Sequence, residues 1–196
     1  MDSRIRVLLA DQDRVFRHGF KEQLVSLGYL VVAEAEDGLK ALNLAFKAEP
    51  DLLFLDDQLK GRDAFRVARA AGEHNLAPSV LLTADCSQVT LEESRKGYVY
   101  GILVKSMLHP ALIMPAVELA IANFGHWVEL KNHQQRVERD LKNRKQIERA
   151  KGLLMAREQW TEEQAYDFLR RSSMERCLAI EDLARELLHE YGKERS

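Results

Sequence analysis

Four polar side chains in this 196-residue sequence each stand at the end of a short apolar run: Asp11 after residues 5–10, Asp56 after 52–55, Thr83 closing 79–83, and Lys105 after 101–104. Two carboxylates, a hydroxyl and an ammonium, if gathered in one place, could do chemistry, with Asp56 as a carboxylate nucleophile or a metal ligand.

Chemistry of that kind requires the four residues to meet, although dozens of positions separate them in sequence. Runs of four to six apolar residues are too short for independent helices and suit strands buried on both faces of a parallel sheet. In open α/β sheets the strand ends lie together at the mouth where ligands bind. A single strand-end aspartate would mean only the start of a polar loop; four polar strand ends together point to a site. Gly61 permits the sharp turn that follows Asp56 and Asp57.

Helical patterns fill the spaces between the runs. Val15, Phe16, Phe20, Leu24 and Leu27 share one side of a stretch closed by Gly28, and Leu39, Leu42, Ala45 and Phe46 form the inward stripe of a second helix after an Asp37-Gly38 turn. Residues 29–35 make a strand between them. A third helix, rich in alanine, is expected over 62–72, a fourth over 90–96 ending at Gly97, and a fifth over 109–124. Alternation of this regularity predicts an α/β fold, a doubly wound five-stranded parallel sheet with helices on both faces.

Composition narrows the function classes. Hydrophobic residues make up 46% of the chain, enough for a sizeable core, and no run of about 18 uncharged apolar residues predicts a membrane span. The first residues lack the pattern of a secretory signal, so the expected location is cytoplasmic. Cys86 and Cys177 match no metal spacing or disulfide framework and are expected to be reduced structural thiols. Net charge is −2, yet residues 136–157 carry eight basic side chains against three acidic ones, a local excess that suits phosphates.

The sequence Leu53-Phe54-Leu55-Asp56-Asp57-Gln58-Leu59-Lys60-Gly61, with Leu81-Leu82-Thr83-Ala84 and Gly101-Ile102-Leu103-Val104-Lys105, resembles the receiver domain of bacterial response regulators over residues 1–124. The resemblance implies that Asp56 accepts a phosphoryl group from a histidine kinase, that Thr83 contacts that group, and that Lys105 pairs with it. It also implies magnesium held by Asp11, Gln12, Asp56 and Gln58. Three positions depart from the family pattern: Gln12 replaces a metal-binding acid, Ile102 an aromatic switch residue, and Ser106 a proline. An amide oxygen ligates magnesium more weakly than a carboxylate. Asp13 begins a helix, where capping is its plainer role.

Beyond Phe124 the pattern changes. Trp127, Leu130, Val137 and Leu141 form a thin apolar seam in a charged stretch, the signature of a coiled coil, within one nearly continuous helix from about residue 109 to 156. Such a helix would run about 70 Å at 1.5 Å per residue. A stripe so narrow needs a partner, most simply a second copy in a parallel homodimer. The stripe then widens to Ile147, Ala150, Leu153 and Leu154. A helix begins at Thr161, which with Gln164 fits a capping box and continues through Ala165, Phe168 and Leu169; a last helix presents Ile180, Leu183, Ala184, Leu187, Leu188 and Tyr191. Together they predict a small three-helix bundle.

Ile147-Glu148-Arg149-Ala150-Lys151-Gly152-Leu153-Leu154-Met155, followed by Thr161-Glu162-Glu163-Gln164-Ala165 and Leu169-Arg170-Arg171-Ser172-Ser173-Met174, is similar to the ANTAR domain, an RNA-binding module of transcription antitermination regulators. The domains expected are therefore a receiver over 1–124, a coiled-coil linker over 125–142 and an ANTAR bundle over 143–196. Ala150, Gly152, Ala165 and Met174 are expected to serve helix packing. The RNA-binding candidates are the solvent-facing bases Arg144, Lys145, Arg149, Lys151, Arg157, Arg170 and Arg171, while Trp160 and Tyr166 either pack or stack on unpaired bases.

The function so implied is not enzymatic in the ordinary sense. It is a dimeric, non-membrane regulator that binds stem-loops in nascent RNA, controlled at Asp56 by a histidine kinase or through a ligand-sensing regulatory protein. Two alternatives are a phosphorylation-independent switch run by protein binding and a DNA-binding regulator. Glu181, Asp182, Glu186 and Glu190 on the last helix oppose the DNA reading, since they would repel a phosphate backbone.

Overall fold

The structure, a computed structural model, describes residues 4–61, 63–85, 92, 94 and 98–193. Its centre is β3, Leu52–Asp56, in which every residue is buried. β1 (Arg6–Ala10) and β4 (Ser79–Thr83) flank it, with β2 (Leu30–Ala35) and β5 (Val99–Val104) at the edges, all parallel in the order β2-β1-β3-β4-β5. This is the doubly wound architecture expected from the alternation. Its helices are α1 (Arg14–Ser26), α2 (Gly38–Ala48), α3 (Ala64–Glu73) and the opening of α4 (Pro110–Glu158). The helix expected over 90–96 lies outside the described residues, apart from Glu92 and Ser94. So does Cys86; Cys177 is free and exposed.

Successive strand side chains point to opposite faces, so each strand supplies two cores. Leu8, Ala10, Leu53, Leu55 and Leu81 face Ala41, Ala45, Val67 and Ala71 of α2 and α3. Val7, Leu9, Leu52, Phe54 and Leu82 face Phe20 and Leu24 of α1 and Ile113, Val117 and Ala120 of α4. Helix starts are fixed by side-chain acceptors: Asp13 takes the N–H groups of Val15 and Phe16, Asp37 that of Lys40, and Asp63 that of Arg66. Asp13 is thus a cap, as its position at the helix start suggested. Gly61 adopts φ 79°, which a side chain would strain. At Gly72 a Cβ would fall 2.2 Å from the Tyr98 ring, so only glycine lets that ring lie on α3.

Two expected stripes are corrected. In α2 the sheet-facing positions are Ala41 and Ala45, while Leu39 and Phe46 are exposed. Small residues bring that helix close to the sheet, and Phe46 instead meets the edge of His74. In α1, Phe20 and Leu24 are buried but Val15 is 82% exposed, because it sits in the first turn, away from the packed face.

The chain divides into two compact units, Met1–Glu129 and Leu130–Ser196. α4 runs through residue 129, unbroken at Gly125 and with Pro115 inside its early turns. By length and composition it contains a stretch apolar enough to cross a membrane. That stretch is the sheet-covering helix of the first unit, with Ile113, Val117, Ala120 and Phe124 buried at helical spacing. In the second unit the apolar seam is open to solvent, with Leu130 69%, Val137 51% and Leu141 53% exposed.

Past the seam, the end of α4 packs with α5 (Glu162–Glu175) and α6 (Ile180–Lys193) around Ala150, Leu154, Ala165, Leu169, Leu183, Ala184 and Leu187. Gln159, at φ 54°, turns the chain out of α4, and Thr161 caps α5 with the expected reciprocal bonds to Gln164.

Candidate functional site

Strand register carries the polar ends to one place. Ala10 pairs with Leu55, so Asp11 and Asp56 emerge side by side; Asp56 pairs with Leu82, and Thr83 with Val104, which puts Lys105 one residue beyond. Asp11, Asp56 and Thr83 are all at least 98% buried. The Lys105 ammonium lies 2.7 Å from Asp11 Oδ2 and 3.0 Å from Asp56 Oδ1, with its other side 4.6 Å from the centre of the Phe16 ring. One cation thus serves two carboxylates, leaving the cluster with net negative charge.

The two titrations reflect that imbalance. Burial raises the Asp11 carboxyl above its usual range, and Asp56 adds to the effect; hydrogen bonds from Lys105 and the Asp13 N–H oppose it without reversing it. For Lys105, burial pulls the ammonium down, but hydrogen bonds and charge from Asp11 and Asp56 leave it raised. The main chain of Asp11 is tied to Arg17, which donates to its carbonyl at 2.5 Å.

Thr83 is differently engaged. Its Oγ1 lies 2.6 Å from Asp57 Oδ2 and 2.7 Å from the Asp85 carbonyl, and it accepts the Asp85 N–H at 3.2 Å. A single hydroxyl proton serves one acceptor at a time, and the ionised carboxylate is the stronger. The other Asp57 oxygen is buried without a hydrogen-bond partner. Sequence reasoning treated Asp57 only as the residue after Asp56; its grip on Thr83 had no signal beyond a second acid at the strand end.

Asp11 Oδ2 bears on magnesium. Lys105 takes one of its lone pairs at 2.7 Å, and the other remains for a hard cation. Two carboxylates completed by water satisfy magnesium, which rarely uses an all-protein cage. Among the described residues no group of three or more acidic, histidine or cysteine side chains converges as a metal cage. The pocket fits the ion through Asp11 and Asp56, with exposed Gln12 and Gln58 nearby in sequence as weaker oxygen donors.

The second unit holds the basic candidates. Lys145 and Arg149, with Lys142, recur at i, i+3 and i+7 on a face of α4 turned away from buried Ala150 and Leu154, and all three are exposed. Arg144, Arg170 and Arg171 are also exposed. Arg157 lies 4.2 Å over the Tyr191 ring and 3.8 Å from Glu158. Lys151 is a correction: it is buried, with its ammonium 2.7 Å from Glu162 and 3.0 Å from Glu148, so its charge is spent joining α4 to α5.

The small and apolar positions divide. Ala150 and Ala165 are fully buried and let the helices approach, as expected. Gly152 and Met174 do not: Gly152 is exposed with open space where a Cβ would stand, and Met174 is 69% exposed. Trp160 packs partly on the bundle core and meets Phe168 at 5.2 Å, whereas Tyr166 is exposed on another side of α5.

Comparison with known proteins accounts for both units. Residues 7–118 match the response regulator receiver domain and residues 135–188 the ANTAR domain. The chain is 34% identical over 187 residues to the transcriptional regulatory protein PdtaR of Mycobacterium tuberculosis, covering 95% of this chain and 91% of that one. Among solved structures, the signal receiver domain of NarL from the same organism superposes with a TM-score of 0.56 at 28% identity, covering 60% of this chain and 96% of that one. Chemotaxis protein CheY4 of Vibrio cholerae shares the fold, with a TM-score of 0.54 at 24% identity over 60% of this chain and 99% of that one. The ordered strand ends and the matches on either side of residue 129 have one reading: the chain belongs to the response regulators, non-enzymatic transcriptional regulators in this case, and pairs a receiver domain with a C-terminal ANTAR domain.

Proposed function

We propose that this response regulator binds stem-loops in nascent RNA and promotes transcription antitermination, under the control of its receiver. The observation that carries the reading is the ANTAR match at 135–188 falling on a helix whose Lys142, Lys145 and Arg149 are exposed away from its packed face. RNA binding would use that face with Arg144, Arg157, Arg170 and Arg171. The receiver would occupy residues 1–124, the linker 125–142 and the RNA-binding bundle 143–196.

Control would begin at Asp56. One of its oxygens bonds to the phosphorus of a phosphohistidine kinase while the phosphorus–nitrogen bond breaks and the electron pair stays with the imidazole. Magnesium, when bound by Asp11 and Asp56 with help from Gln12 and Gln58, supplies neutralisation of the phosphoryl oxygens. Lys105 then exchanges an aspartate partner for the phosphoryl group, keeping its positive charge beside the new negative one. Thr83 turns its proton from Asp57 to that group, and the loop holding Asp57 loses a bond and gains a repulsive neighbour. The exposed Leu130, Val137 and Leu141 support pairing of two linker helices, which raises RNA affinity by holding two bundles at high effective concentration.

A second reading has its own support. Gln12 removes a negative charge from the pocket and Asp57 already holds the Thr83 hydroxyl, features that suit a receiver operated by a ligand-sensing protein partner. Acetyl phosphate and magnesium, followed by intact mass, separate the two. A phosphoryl adduct lost in Asp56→Asn supports phosphorylation; its absence under forcing conditions assigns control to a partner. Gel shifts with paired hairpin RNAs and with duplex DNA test the output, and tight binding to duplex DNA alone would overturn it.

A further inference from the structure

The Lys105 ammonium is held by carboxylates on one side and by an aromatic ring on another. Asp11 Oδ2 lies 2.7 Å away, Asp56 Oδ1 3.0 Å, and the centre of the Phe16 ring 4.6 Å from the same nitrogen. A cation over an aromatic face at that range is attracted by the negative face of the ring, more strongly as water is removed. The Lys105 side chain is 21% exposed, so water competes for it only in part.

The ring is fixed from below. Phe16 stacks on Phe20 with centroids 5.7 Å apart and planes 24° from parallel, and Phe20 meets Phe54 edge-on at 5.2 Å and 80°. Phe54 is fully buried in β3 two residues before Asp56, so the two side chains leave the strand on the same face. A column of three rings therefore runs from the strand that carries Asp56 to the cation beside it. The main chain closes the circuit. Asp11 Oδ1 accepts the Asp13 N–H at 2.7 Å, and Asp13 accepts the N–H groups of Val15 and Phe16 at 2.8 and 3.2 Å. The carboxylate that binds the ammonium is thus tied, through one helix cap, to the turn that places the ring.

A ring in this position does what a third carboxylate could not. A carboxylate would attract the ammonium but add a negative charge, and so repel an incoming phosphoryl group. The ring attracts the cation without adding net charge, and it has no lone pair to compete with Asp11 or Asp56 for a hard cation. Lysine is a point charge on a flexible four-carbon stem, so when it releases an aspartate it needs a fixed surface to keep its place. Leucine would fill the space but offer the ammonium no attraction.

We propose that Phe16 is a positioning residue for phosphoryl transfer to Asp56: its ring face holds the Lys105 ammonium beside the acceptor while that ammonium exchanges an aspartate for the phosphoryl group. The proposal rests on the phosphorylation reading above and adds to it a residue from outside the four strand ends. Phe16 acts through Lys105 and touches no reacting atom. In the sequence it is one apolar residue of the α1 stripe; its second role comes from its place in the first turn, next to the strand end that carries Asp11.

The test replaces Phe16 in the full-length protein by phenylalanine bearing one, two or three ring fluorines, which nearly preserves the shape of the ring and progressively weakens its negative face. On incubation with acetyl phosphate and magnesium, an Asp56 oxygen bonds to phosphorus as acetate leaves with the electron pair, and intact mass follows the adduct with time. Its rate should fall stepwise with fluorine number, by about twofold to fivefold at three fluorines. Urea melts of the receiver give a readout that needs no phosphorylation. The folding constant should fall stepwise over a similar range, and the dependence should vanish in Lys105→Met, where no cation faces the ring. A ring that served only as packing would give the same dependence with and without Lys105. Circular dichroism checks that Lys105→Met is folded; if it is not, the adduct series decides alone. Equal adduct rates across the series, or melts that respond to fluorine alike in both backgrounds, would overturn the proposal and leave phosphorylation intact. No adduct in the unmodified protein would overturn the phosphorylation reading itself, and with it the place of Phe16 in the transfer.

Discussion

The receiver pocket and the surface of the ANTAR bundle both depend on charge, but they handle it in opposite ways. In the pocket, Asp11 and Asp56 are out of water and one ammonium lies within 3.0 Å of both. On α4, Lys142, Lys145 and Arg149 stand in solvent along one face, and the one buried lysine of the region, Lys151, is held by two glutamates. Burial amplifies each interaction and makes the pocket responsive to a single added group. Exposure weakens each interaction but allows many phosphates to be met at once, with salt as the competitor. A switch and a grip therefore sit in different dielectric surroundings, and perturbations should tell them apart.

The largest effect is expected at Lys105. Lys105→Met leaves two buried carboxylates facing each other without a cation and should destabilise the receiver by about 3 kcal/mol, the low end for a broken buried pair because Lys105 is itself partly exposed. The pH dependence has a definite sign. Folded Asp11 holds its proton more tightly than the unfolded chain does, so below its raised folded value stability returns as pH falls toward 3.8. In the unmodified protein the raised Lys105 contributes its full stabilisation below 10.5, and this is lost as pH rises through the folded value. Urea melts across pH, on both proteins, check each arm.

Next in size is the Thr83 and Asp57 pair. A double-mutant cycle with Thr83→Ala and Asp57→Asn should show a coupling of about 1.5 kcal/mol, the scale of a hydrogen bond to a charged group. Additive effects would mean that the hydroxyl prefers the Asp85 carbonyl, and would remove Asp57 from the switching route.

These two predictions also mark where sequence reasoning reached and where it stopped. Asp11, Asp56, Thr83 and Lys105 were identifiable because a parallel sheet forces polar strand ends to one edge, whatever the loops do. The Asp57 grip depends on how a loop folds back over β4, which no periodicity encodes. The same division holds elsewhere. The buried stripe of the bundle followed from 3.6-residue spacing, whereas Leu39 and Phe46 misled because α2 meets the sheet through alanines. Lys151 looked like its basic neighbours, and its contact with Glu162 of the next helix, beside the one with Glu148 on its own, is what α4 alone does not encode.

Lys151 therefore supplies the third contrast. Lys145→Gln and Arg149→Gln should each weaken hairpin RNA binding severalfold and flatten the dependence of log affinity on log salt by about 0.7 to 0.9 per lost phosphate contact. Lys151→Gln should leave that slope unchanged and lower the melting temperature of the bundle instead. Binding titrations at several salt concentrations, beside thermal melts, separate the two classes. A changed slope for Lys151→Gln would mean that the ion pairs open when RNA binds.

The smallest effect falls on Gly152, and it is informative because nothing among the described residues accounts for it. A glycine in the interior of a helix costs about 0.5 to 1 kcal/mol relative to alanine. Gly72 has a reason to bear that cost, since Tyr98 fills the place of its side chain; Gly152 has open space instead. Gly152→Ala should then stabilise the bundle by about 0.5 to 1 kcal/mol, measured by urea melts. If the residue serves only as an unfilled surface position, RNA affinity will not move. If an external backbone, of RNA or of a second copy, packs against α4 at this point, the same methyl group will weaken association while it strengthens the fold. Opposite signs from one substitution would place the grip beside Arg149, and equal affinities would place it elsewhere on the bundle.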